Sequence, residues 1–169
     1  MNHLQTLTRY KAWANSLLFA AVSELPEHEL TAARPIVFGS ILRTLNHVHA
    51  MDQLWKAHLQ GVSHRLTTRN PETCPPLDEL RITQQAIDDW YIDYADSLQE
   101  GEHDETVEFV FIGGGAGSMS REAILLHVVN HATYHRGHVA DMMYECSVDP
   151  PTTDLPVFLN SGSMDTSRK

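Results

Sequence analysis

Cysteine is scarce in this chain. Cys74 and Cys146 are the only two among 169 residues. They form neither a C-x-x-C pair nor a disulfide framework, so two free thiols in a reducing compartment are expected. Basic clusters are also missing. Lys and Arg total 12 against 22 Asp and Glu, a net charge of −10. Nucleic acid and anionic membrane surfaces both require a cationic footprint, so neither is an expected partner. No uninterrupted apolar run is long enough to span a bilayer. The opening residues lack the basic region and apolar core of a signal peptide, and the expected location is cytoplasmic. Internal repeats and low-complexity blocks are absent. Gly113-Gly114-Gly115 and Gly117 lack the lysine and spacing of a P-loop.

What remains is a chain with 42% hydrophobic residues, enough for one buried core. Four amphipathic helical segments stand out. The first runs from about Leu4 to Val22 and ends at Leu25-Pro26, where proline cannot continue the hydrogen bonding. The second runs from Ser40, a plausible N-cap, to Gln60, with Gly61 as its stop. The third spans about Asp78 to Gln99, after a loop rich in Thr, Asn and Pro. Residues Thr106–Ser120 break the pattern with β-branched and aromatic residues followed by glycines, predicting a short hairpin or irregular loop. The fourth helix starts at a Ser120 cap and reaches about Glu145, before Pro150-Pro151. Leu155, Val157, Phe158 and Leu159 can pack back on the helices. The expected class is all-α, with one domain over residues 1–160 and a loose tail at 161–169.

Histidine is the abundant residue with chemistry. Four of the chain's 11 histidines fall between His127 and His138. On an α-helix, His127, His131 and His135 lie one turn apart on nearly the same face. Laid out on a helical wheel, His131 and His135 join the apolar arc of Ile124, Val128, Ala132, Val139, Met142 and Met143. His127 and His138 fall at its edge. A lone inward histidine is most simply a satisfied core residue. Two at i and i+4 are different, because they can close on one ion and a shared metal resolves the cost of burying them. The zinc-protease pattern H-E-x-x-H is absent, since Ala132 follows His131.

A mononuclear site needs a further ligand, and the second helix offers His47, His49 and His58. Its apolar stripe is Ile41, Leu45, Val48, Met51, Trp55 and Leu59. His47 sits on the margin of that stripe beside Met51 and is the expected third ligand. His49, the runner-up, falls on the far side with Lys56 and Asn46 and reads as solvated. Asp52 lies on the apolar side, where it either hydrogen-bonds a ligand imidazole or forms a buried ion pair.

The motifs Tyr10-Lys-Ala-Trp13-Ala-Asn15, Leu45-Asn-His47-Val-His-Ala-Met-Asp52-Gln-Leu-Trp55, His127-Val-Val-Asn-His131-Ala-Thr-Tyr-His135-Arg136-Gly137 and Pro150-Pro-Thr-Thr-Asp154-Leu span nearly the whole chain. Together they resemble the DinB (damage-inducible) family of the DinB/YfiT-like superfamily. That resemblance implies a four-helix bundle of up-down-down-up type with a long crossover, usually a homodimer. It implies a metal, zinc or nickel, held by three histidines that carry over onto His47, His131 and His135. His138 departs from the pattern, standing where glutamine commonly follows His-Arg-Gly. The resemblance further implies a metal-dependent transferase using a low-molecular-weight thiol in stress or detoxification. The alternatives are a metal-dependent hydrolase acting through bound water and a metal-binding dimer without turnover. Tyr134, Arg136 and His138 have no role that the sequence assigns.

Overall fold

The computed structural model describes residues 1–162. The expected tail therefore lies, from residue 163 onward, outside the described residues. Four long helices carry the structure: α1 (His3–Ser23), α3 (Ile41–Leu59), α4 (Leu77–Ser97) and α5 (Arg121–Glu145). Two short ones, α2 (Glu27–Thr31) and α6 (Leu155–Asn160), had no periodic signal to announce them. The helices begin where side chains can satisfy free backbone donors. Asn2 and Gln5 form a reciprocal capping box on α1, and Ser40 and Ser120 cap α3 and α5.

The all-α expectation needs one amendment, because strands β1 (Thr106–Val110) and β2 (Ala116–Ser120) pair antiparallel. The register sets Thr106 against Ser120 and Val110 against Ala116, so the hairpin occupies the stretch where the helical pattern breaks. Gly113, Gly114 and Gly115 turn it with φ of 95°, 99° and 94°, which side chains rarely allow. The hairpin covers one end of the helices, burying Phe109 against Trp55.

α1 packs against α4 and α5, and α3 packs against the same two. Apolar residues gather at two ends. At one end Leu18 and Val22 of α1 meet Ile41 and Leu45 of α3, Leu80 of α4, and Val139, Met142 and Met143 of α5. At the other, Leu4 meets Trp55, Leu59, Ile87, Tyr91, Ile124 and Val128. This pairing means that α1 and α5 run one way while α3 and α4 run the other. Of the four apolar residues expected from the final segment, only Phe158 is buried, against Tyr10 and Trp13.

Between the two apolar ends, a set of polar side chains is buried beside smaller apolar groups such as Ala14 with Val129 and Ala50 with Met51. Lys11 Nζ donates to Asp52 Oδ2 at 2.7 Å and to Asp88, all three side chains being almost fully buried. Asn15 donates to Asp88 Oδ2 at 2.9 Å, and Gln84 donates to Asp52 at 2.8 Å and to Asp88 at 3.1 Å. Asp52 thus belongs to a buried ion pair, one of the two roles open to it from sequence. Burial alone would lower the Lys11 pKa, but the carboxylates of Asp52 and Asp88 outweigh it and hold the pKa above its usual 10.5.

Removing one member of a buried ionic set leaves uncompensated charge. Lys11→Met should therefore lower unfolding free energy by about 3–5 kcal/mol, read from urea melts. Because the Lys11 pKa is raised on folding, its contribution is complete below the unfolded value near 10.5 and is lost as pH rises through the folded one. The wild type should lose stability over that alkaline window more steeply than Lys11→Met. Parallel slopes would contradict this.

Candidate metal centre

α3 and α5 lie side by side with opposite directions, which sets His47 of α3 across from His131 and His135 of α5. One ring nitrogen from each histidine can be chosen so that all three lie within 4.8 Å of one another. His47 Nε2 and His131 Nε2 are 3.1 Å apart. Three nitrogens sharing one ion at zinc distances sit about 3.3 Å apart, close to the separation of the His47 and His131 pair. His47 and His135 are buried and His131 is partly buried.

The proton positions in this cluster follow from its partners. His47 Nδ1 lies 2.7 Å from the Arg69 carbonyl oxygen, which can only accept, so Nδ1 carries the hydrogen and Nε2 keeps a lone pair. His131 Nε2–H then donates to His47 Nε2. Burial pulls the pKa of His131 from 6.5 down to about 3, helped by the neighbouring His47 and His127. Burial does the same for His135, also to about 3, with His131, His47 and His138 adding to it. His47 is lowered too, again chiefly by burial. All three are therefore neutral at pH 7, the state in which imidazole can ligate a cation.

Aromatic rings wall the cluster. Phe38 stacks on His47 with centroids 4.0 Å apart and lies 5.3 Å from the His135 ring. His127 stacks on His131 at 5.7 Å and meets Trp55 edge-on at 4.9 Å. Phe38 and Arg69 are the functional neighbours that sequence reasoning missed. Phe38 sits in an aperiodic connection, and Arg69 contributes a carbonyl that any residue could supply.

Other candidates fall elsewhere. His58 packs with Trp55, His64 and Phe109, away from the three-nitrogen group. His49 corrects an expectation: it is buried, not solvated. Its Nδ1 lies 3.1 Å from Gln84 Oε1, and Gln53 Nε2 donates to its Nε2 at 2.9 Å. The wheel failed because α3 has little solvent-facing side, being enclosed by α4, α5, α2 and β1. Arg136 points away from the imidazoles, donating to Tyr10 Oη at 2.9 Å and Thr133 Oγ1 at 3.0 Å.

Four long helices bring together three imidazoles that could hold a metal ion. The chain matches the DinB family over residues 1–166 and belongs to it. It is similar to Protein DinB of Bacillus subtilis (strain 168), with 27% identity over 160 residues, covering 90% of this chain and 91% of that protein.

The burial of His49 has a measurable consequence. His49→Leu leaves Gln84 Oε1 without its donor and should cost about 1–3 kcal/mol in urea unfolding. A change within about 0.5 kcal/mol, as expected of surface positions, would return His49 to solvent.

Proposed function

We propose that this protein binds one divalent metal through His47, His131 and His135 and uses it as a transferase acting on a low-molecular-weight thiol. The observation that carries the reading is the convergence of three neutral imidazoles within 4.8 Å. In this reading the four long helices form an up-down-down-up four-helix bundle, residues 1–160 make one domain, and the protein works as a homodimer in stress or detoxification. Zinc or nickel suits the all-nitrogen donor set.

A divalent ion held there would supply Lewis acidity, lowering the pKa of a coordinated thiol or water toward neutrality. The chain's own contribution is to fix the donors. The Arg69 carbonyl sets the His47 tautomer, and the α5 backbone spaces His131 and His135 by one turn. In this arrangement His131 carries its hydrogen on Nε2, so turning an Nε2 lone pair to an ion would require the Nδ1–H tautomer, with no net loss of a proton. Phe38, itself partly buried, covers one face of His47.

That same cover favours a second reading, a metal-binding protein without turnover. A hydrolase is less well supported, since Asp52 and Asp88, the buried carboxylates of the interior, are both engaged with Lys11. Elemental analysis combined with a thiol-consumption assay separates the readings. Wild type should carry close to one zinc or nickel per chain, and His131→Ala far less. Thiol loss with a generic electrophile should stop on chelation and return on adding metal. Metal retention without thiol loss would leave the binder. Equal metal content in wild type and His131→Ala would remove the centre altogether.

A further inference from the structure

Two of the three imidazoles have Nδ1 beside a partner. For His47 the partner is the Arg69 carbonyl. For His135 it is another imidazole: His135 Nδ1 and His138 Nδ1 lie 3.3 Å apart. The two residues are three apart on α5, so the helix presents them on one face. The exposed Tyr134 ring stands edge-on to both, 5.0 Å from His135 and 4.6 Å from His138. His138 is partly buried and is not among the three donors that converge.

We propose that His138 is a positioning residue for the metal centre, accepting the Nδ1–H of His135 so that His135 presents Nε2 to the ion. This rests on the reading that the three imidazoles hold a metal. The protons allow one arrangement. A histidine ligating through Nε2 carries its hydrogen on Nδ1. That hydrogen points to His138 Nδ1, which accepts it and keeps its own hydrogen on Nε2. A ligand imidazole anchored in this way loses little rotational freedom on binding and is a stronger base. The usual anchors are carboxylates, carbonyls and water. Here α5 supplies ligand and anchor from one turn of the same helix, so the orientation of His135 survives any shift of α5 against α3.

The test compares wild type, His138→Phe and His138→Gln, with His131→Ala as reference. Phe keeps a ring against Tyr134 but cannot accept a hydrogen bond, whereas Gln offers a carbonyl oxygen. Zinc affinity is read by competition with a chromophoric chelator, and cobalt(II) absorption reports the ligand field. Circular dichroism checks folding, with His138→Leu as a second acceptor-free variant should Phe not fold. The acceptor-free variants should bind zinc about 10- to 100-fold more weakly, the range found for outer partners of metal ligands. Their cobalt bands should shift. His138→Gln should stay within about threefold of wild type with an unshifted spectrum, since its oxygen replaces the lost acceptor. If His131→Ala loses zinc while the acceptor-free variants bind as wild type does, the role of His138 is overturned and the centre stands. If Gln is as weak as Phe, acceptance is not what His138 provides. Unchanged affinity in His131→Ala would bring down the centre and this role with it.

Discussion

The structure depends on one buried ammonium. Lys11 lies between Asp52 and Asp88, and those three side chains join α1, α3 and α4 at mid-height. Charges so deep are tolerable only when each lone pair and proton has a partner, which Asn15 and Gln84 provide. The demand for complete pairing fixes the depth and rotation of each helix more narrowly than apolar contact would. A slide of one turn would keep leucines among leucines at either end. It would strand a carboxylate in the middle.

The imidazoles occupy the same level as these charges. On α3, His47 and His49 precede Asp52 within the polar stretch, and on α5 His131, His135 and Arg136 separate the apolar residues of the two ends. Core and candidate centre are therefore one layer. His49 is tied into the charge set, its Nδ1 bonded to the Gln84 that holds both carboxylates. The motif residues Tyr10, Lys11 and Asn15 act within this frame. Tyr10 Oη donates to the Thr153 carbonyl at 2.8 Å and accepts from Arg136, so it fastens the final segment to the helix that bears the histidines.

Much of this was legible in the chain. Helix limits were readable because Ser40, Ser120, Pro26 and Gly61 leave local signals. The convergence of His47, His131 and His135 was readable because the spacing of the α5 pair and the margin of the α3 stripe are periodic properties. The polar middle was not. Lys11, Gln84 and Asp88 carry no local sign of burial, because their partners on other helices lie 32 to 77 residues away. His49 was misplaced for the same reason, since a wheel assumes that the side opposite the apolar stripe meets water. Phe38 and the Arg69 carbonyl lie in irregular backbone, where no period exists to read.

The sequence separation of 84 from His47 to His131 sets an order of assembly. Every member of the Lys11 charge set lies on the first three long helices, and the paired histidines lie on the last to be synthesised. A nascent chain can join its buried ions while α5 is still in the ribosome, and the three imidazoles can meet only once α5 has emerged. A chain cut short before α5 would hold just one of the three imidazoles, so the cluster reports that α5 has been made and has docked on α3.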